Sequence, residues 1–196
     1  MAVKLIGLTG GIGAGKSTAL RAFAELGAEV LSSDAVVHEL YGGERLRDAV
    51  VARWGDGVAP AGAVDRGKVA QIVFADPAER EWLESLLWPL VGERIAGWIE
   101  QARTIGPPPR ALVLEVPLLF ESGFDAGCDA TVAIVAPVEQ IAARTADRDL
   151  VGVGERESRQ LAAAEKASRA SFVVENDGSI AELRRKLSDV LDKLEA

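Results

Sequence analysis

The sequence predicts an α/β protein: a three-layer parallel sheet with helices on both faces, carrying a helical insert and a lid. Three observations predict it. Short apolar runs alternate with stretches of helical periodicity, as strands do when crossover helices join them. The first apolar run leads into Gly10-Gly11-Ile12-Gly13-Ala14-Gly15-Lys16-Ser17-Thr18, where two glycines five positions apart precede Lys and Ser. That pattern needs a strand to enter it and a helix to leave it. A chain of 196 residues fits one domain with room for an insertion.

Val3 to Leu8 reads as a buried strand and Thr18 to Leu26 as the helix after the loop. Glu29 to Leu31 is a short second strand after Gly27, and Ala35 to Tyr41 is helical up to Gly42-Gly43. From Glu44 to about Arg103 the pattern is helical, broken at Gly55-Asp56-Gly57 and between Pro60 and Gly62. Asp76-Pro77-Ala78-Glu79 is a helix start, with Asp as cap, Pro in the first turn and Glu where a capping box places it. Trp82, Leu83, Leu86 and Leu87 give that helix an apolar face. After the stiff Pro107-Pro108-Pro109, Arg110 to Val116 is a nearly all-apolar strand, as expected of one covered on both faces. Asp129 to Ala136 is another strand. Pro137 opens a helix to about Asp149, Leu150 to Gly154 breaks it, and Glu155 to Arg169 is helical again. Ser171 to Val174 is the last strand. Ser179 caps a terminal helix with Ile180, Leu183, Leu187, Val190, Leu191 and Leu194 on one stripe.

Charge and composition exclude several classes. A net charge of -8 argues against a general nucleic-acid binder, since a phosphate backbone demands a basic surface. The single cysteine, Cys128, rules out an internal disulfide and a thiolate-only metal cluster, and is expected to be a small buried hydrophobe. No run of about eighteen apolar residues is present, so no membrane span is expected. The N-terminus enters the first strand without signal-peptide form, and a cytoplasmic protein is expected.

The candidate chemistry starts at the loop. Gly10, Gly13 and Gly15 have no Cβ to hold a phosphate away, so backbone N–H groups can face an anion. The helix beginning near Lys16 turns its positive end on the same point. Lys16 adds a mobile charge for the outer phosphates, and the Ser17 hydroxyl is placed to ligate Mg²⁺. The plain alternative is a glycine-rich turn between a strand and a helix. Asp34 follows the second strand, where a carboxylate can take the proton of an acceptor hydroxyl; a helix cap is the other reading. Glu115 ends a strand where many phosphate-loop enzymes hold Mg²⁺ through water, or it caps or pairs with a cation. Gln140, Arg144 and Arg148 are spaced four apart on one helix face. They read either as solvated charge or as a lid whose arginines, remote from the loop at first, close on a transferring phosphate. The guanine-reading Asn-Lys-x-Asp pattern is absent, which weighs against a GTPase switch.

Taken together, the sequence resembles the dephospho-CoA kinase family over almost its whole length. The resemblance rests on Ile6 through Thr18, Ser33-Asp34, Asp65-Arg66 with Val73-Phe74, Leu83 to Pro89, and Val116-Pro117-Leu118-Leu119-Phe120-Glu121. It continues through Gln140 with Arg144 and Arg148-Asp149, Arg156 with Gln160 and Lys166, and Asn176 with Gly178. It implies a P-loop NTPase fold of the nucleotide-kinase-like kind and transfer of the γ-phosphate of ATP, with Mg²⁺, to the ribose 3′-hydroxyl of dephospho-CoA, the last step of coenzyme A synthesis. Asp34, Lys16, Arg144 and Arg148 would then be catalytic. Gly11, Ile12, Gly13, Ala14, Gly15, Lys16, Ser17, Thr18 and Asn176 would hold ATP, with Asn176 near the adenine. Asp34, Arg66, Leu118 and Leu119 would contact the substrate, and Ser17 and Glu115 the metal. The family pattern usually has Asp at Glu115, His-Pro at Trp88-Pro89 and Asp at Ser171, and often Arg at His38; the lid between Arg148 and Arg156 is about three residues short. His38, the only histidine, is expected on the surface or in the substrate region. Residues 1–196 are read as one domain, with a core of about 1–33, 110–143 and 170–196, an insert of about 34–109 and a lid of about 144–169. A monomer without nucleic-acid or membrane partners is expected. The alternatives are another P-loop small-molecule or nucleotide kinase, or a non-catalytic nucleotide-binding module.

Overall fold

A computed structural model describes residues 3–145 and 160–195. The expectations for Arg148, for the break from Leu150 to Gly154 and for Arg156 therefore lie outside the described residues. The chain divides into two compact units, one of residues 1–32 with 102–196, the other of residues 33–101.

The first unit is built on five parallel strands: β1 (Leu5–Gly10), β2 (Glu29–Ser32), β3 (Leu112–Glu115), β4 (Ala130–Val135) and β5 (Phe172–Glu175). Their order is β2-β3-β1-β4-β5. β1 is central, in register with β3 (Leu8 opposite Glu115) and with β4 (Gly10 opposite Ile134). Alternation along β1 divides its side chains between two layers. Ile6 and Leu8 join the core with Val113, Val132, Ile134 and Val174. That core is covered by α1 (Lys16–Glu25), through Ala19, Ala22 and Phe23, and by the terminal helix, Ile180–Glu195, through Leu183, Leu187, Val190 and Leu191. On the opposite side of β1, a Cβ at Gly7 would meet Leu119 and the Cys128 Sγ. Cys128 is half-buried, and burial pushes its thiol up to about 11. A short helix, Ala163–Arg169, lies on this second side, where Lys166 reaches the carbonyl of Pro117.

Two expectations for the terminal helix resolve differently. Ser179 caps it through a reciprocal box: its hydroxyl accepts the Glu182 N–H at 3.2 Å, and its own N–H donates to Glu182 Oε2 at 2.7 Å. Ile180, expected on the apolar stripe, is exposed, because it lies in the first turn ahead of the residues that meet the sheet.

The second unit is helical. It holds α2 (Ser33–Tyr41), α3 (Glu44–Trp54), α4 (Arg66–Ala75) and most of α5 (Pro77–Thr104). Asp65 caps α4, accepting the N–H groups of Gly67 and Lys68 at 2.9 and 3.2 Å. Asp76 accepts from Ala78 at the start of α5, and Pro77 occupies the first position, where a missing N–H costs nothing. The unit has its own core of Leu46, Val50, Val58, Val69, Leu83 and Leu87. Arg53 pairs with Glu79 at 2.9 Å, and the Trp54 indole donates to the same carboxylate at 2.8 Å.

Among the described residues, the second unit is followed by the helices α6 (Val138–Thr145), α7 (Ala163–Arg169) and α8 (Ile180–Glu195).

Candidate active site

The loop between β1 and α1 is closed by its own backbone, with the Ala14 N–H on the Gly11 carbonyl at 3.3 Å and the Thr18 N–H on that of Gly15 at 3.1 Å. Two glycines are obligatory. At Gly10 a Cβ would collide with the Ile134 carbonyl of β4. At Gly15, where φ is +95°, a Cβ would overlap the carboxamide nitrogen of Asn176. Gly15 also precedes α1, so the first N–H groups of that helix lie at the end of the loop.

Lys16 folds back along the loop and donates to the carbonyls of Gly10 and Gly11, both at 3.0 Å. Asn176 sits just past β5 and is buried; its side chain donates to the Ala14 carbonyl at 2.8 Å, and its backbone N–H to Val135. Its carboxamide thus braces the phosphate loop, a contact that the expectation of a place near the adenine did not include. Arg144, on α6, has one guanidinium nitrogen on the Gly13 carbonyl at 3.4 Å and another on Gln140 Oε1 at 2.8 Å. Gln140 in turn donates to the Asp177 carbonyl at 2.8 Å. The expectation that Arg144 stands remote from the loop is therefore corrected: Gln140, one helical turn back, holds it against the loop. Arg148 lies outside the described residues.

Glu115 ends β3 and is buried, opposite Leu8 of β1 on one side and Ser32 of β2 on the other. Ser17 is exposed at the start of α1, with Thr18 half-buried beside it. Asp34 follows Ser32 by two residues and lies exposed in the first turn of α2, not ahead of it. Of the two leucines expected at the substrate, Leu118 is half-buried, while Leu119 is 0% exposed. Leu119 fills the space above Gly7, so its place is in the core, which corrects its assignment as a substrate contact. In the second unit, the Arg66 guanidinium contacts His38 Nδ1 and stacks on Tyr41, 5.5 Å from the ring centre. Together with Arg47, they border an open pocket. Ser171 takes the Thr131 N–H on its hydroxyl at 3.1 Å, and its own N–H donates to the Thr131 hydroxyl at 2.9 Å, joining β4 to β5.

Among the described residues no cluster of three or more His, Cys, Asp or Glu is arranged to cage a metal. The oxygens near the loop, the Ser17 hydroxyl and the Glu115 carboxylate, are hard donors suited to a cation that keeps most of its water.

A central parallel strand delivering a glycine loop, a lysine and a helix terminus to one point, with an arginine from another helix set on that loop, defines a P-loop kinase. A family model described as dephospho-CoA kinase matches residues 4–182. The chain belongs to that family. It is 39% identical over 190 residues to a dephospho-CoA kinase of Symbiobacterium thermophilum, covering 94% of this chain and 79% of the relative. To the dephospho-CoA kinase of Agrobacterium fabrum it is 37% identical over 200 residues, covering 98% of each. Among solved structures, TT1252 from Thermus thermophilus superposes with a TM-score of 0.81 at 32% identity over 99% of both chains. A shikimate kinase from Acinetobacter baumannii, at 19% identity and a TM-score of 0.52 over 98% of this chain and 93% of its own, shares the fold.

Proposed function

We propose that this chain transfers the γ-phosphate of ATP to the ribose 3′-hydroxyl of dephospho-CoA, giving coenzyme A and ADP. The observation that carries the reading is a formed phosphate loop, braced by Asn176 and Arg144, in a chain of the dephospho-CoA kinase family.

In this reading residues 11–18 and Asn176 bind ATP. The loop N–H groups and the start of α1 receive the phosphate oxygens, and the Lys16 ammonium leaves its two carbonyl acceptors to meet the outer phosphates. Arg144 and Arg148 spread the charge that develops on the transferring group. Asp34 accepts the proton of the acceptor hydroxyl. Arg66 and Leu118 belong to the acceptor side. Ser17 and Glu115 would hold Mg²⁺, the Glu through a water, and the ion when bound neutralises charge on the phosphates. No helix among the described residues is long and apolar enough to cross a membrane; a cytoplasmic monomer goes with the reading.

The test is ADP release from ATP with dephospho-CoA, AMP and shikimate offered as competing acceptors. Dephospho-CoA is expected to win. Preference for AMP or shikimate would replace the substrate while keeping the kinase, and tight ADP binding without turnover on any acceptor would leave a nucleotide-binding module.

A further inference from the structure

Lys166 is the only buried residue of α7, and its side chain is 0% exposed. Its ammonium donates to the Pro117 carbonyl and lies 3.0 Å from Glu121 Oε1. The same Glu121 oxygen accepts the N–H of Leu161, just ahead of the helix, at 2.8 Å, while Oε2 is buried without a hydrogen-bond partner among the described residues. The Pro117 carbonyl is shared in turn: the hydroxyl of Thr9, itself fully buried, donates to it at 3.3 Å. Three segments meet here. Thr9 is the residue before Gly10 and the phosphate loop. Pro117 lies two residues beyond Glu115. Leu161 lies just ahead of α7 and Lys166 within it, and at the start of that helix the Ala163 methyl would be 3.7 Å from a Cβ placed on Gly11.

As a stabiliser the pair is a poor choice. Removing an ammonium and a carboxylate from water is costly, and apolar side chains of like volume in such a place are often neutral or better. A charged pair supplies direction instead: the ammonium satisfies a carbonyl and a carboxylate together from one position only. That position sets where the turn after β3 lies relative to the end of β1.

We infer that Lys166 is a positioning residue for phosphoryl transfer, holding through Pro117 and Glu121 the turn that follows Glu115 in register with the phosphate loop and with the start of α7. This rests on the kinase reading above. Lys166 touches no reacting atom in it. Because Asn176 and Arg144 hold the loop at the Ala14 and Gly13 carbonyls without Lys166, nucleotide binding does not depend on it, and the loss falls on alignment for transfer.

The test compares the wild type with Lys166→Met and with the double variant Lys166→Met/Glu121→Met. It measures melting temperature, ADP affinity by calorimetry, and kcat and KM for ATP with dephospho-CoA. Lys166→Met strands the Glu121 charge and is expected to melt lower, with kcat down about tenfold or more and ADP affinity within about threefold of wild type. The double variant removes the stranded charge. It is expected to regain melting temperature and not kcat. Recovery of kcat together with stability in the double variant would overturn the inference, as would a single variant within about twofold of wild-type turnover. A parallel loss of ADP affinity would also overturn it, and so would a double variant that fails to fold, since the pair would then serve the fold itself. Failure of the kinase reading shows separately, as a wild type that binds ADP and turns over no dephospho-CoA.

Discussion

At the scale of single residues, Asp34 separates two chemistries that the same position allows. It lies in the first turn of α2, where a carboxylate favours the helix through its dipole, and two residues beyond β2, and in the proposed function it is also the base for the acceptor hydroxyl. Asp34→Asn keeps the size and much of the capping ability while removing charge and basicity. Turnover with dephospho-CoA is expected to fall about a hundredfold or more, the usual worth of a general base, with little change in melting temperature. If the residue only supports the helix, Asp34→Ala will melt lower and Asp34→Asn will keep full activity. At the same scale, the bonds of Lys16 to the Gly10 and Gly11 carbonyls show that its ammonium already has oxygen ligands on the loop. A phosphate has only to replace them.

At the scale of elements, the candidate site draws on strand ends. β1 supplies the loop, β3 supplies Glu115, and the residues after β5 supply Asn176 and the Asp177 carbonyl that seats Gln140. All five strands run parallel, so these ends fall on one edge of the sheet. The opposite edge carries an ion-pair cluster. There Arg110, just before β3, donates to Glu195 at 2.7 and 2.8 Å and to Asp192 at 2.6 Å, fastening the last turn of α8. Arg110→Ala is expected to cost about 1 kcal/mol, the upper range for an exposed pair with forked geometry, or roughly 2–4 °C in melting temperature. kcat is expected to stay unchanged. A fall in kcat at full occupancy would mean that α8 transmits strain to the site.

At the scale of the whole molecule, pH acts through carboxylates that folding holds below their ordinary range. The Leu5 N–H does this for Asp129, with Lys4 assisting; Lys186 does it for Asp177, the Ser179 N–H for Glu182, and Arg110 for Glu195. A depressed folded value means that the unfolded chain binds the proton more readily. The stabilisation is present above the unfolded value, about 4, and is lost as pH falls through the folded one. Melting temperature is therefore expected to hold between about pH 7 and 5 and to drop below about pH 4, less steeply in Asp129→Asn. Added salt should shrink the contribution of the exposed pairs. An Asp129→Asn profile parallel to wild type would show that its bond to Leu5 contributes nothing.

The phosphate loop was legible in the sequence because all its parts are consecutive: strand, glycines, Lys16 and helix lie within a few residues, and local backbone conformation alone builds the anion site. The sheet was legible for a similar reason, since strands covered on both faces are written as apolar runs, and Leu112–Glu115 and Ala130–Val135 lie within the stretches so read. The bonds that hold the site in place were not legible. Asn176 lies 162 residues from the Ala14 carbonyl it serves, Arg144 lies 131 from Gly13, and Lys166 lies 49 from Pro117. A polar side chain reads the same on the surface and in the interior. Only tertiary packing decides that Lys166 is fully buried, that Leu119 fills the space over Gly7 instead of facing a ligand, and that Ile180 is left outside. The sequence by itself determined the chemistry available to the loop, because that chemistry follows from residue type and short-range geometry. The tertiary structure decided which distant side chains hold it, because burial and partnership depend on what the fold brings together.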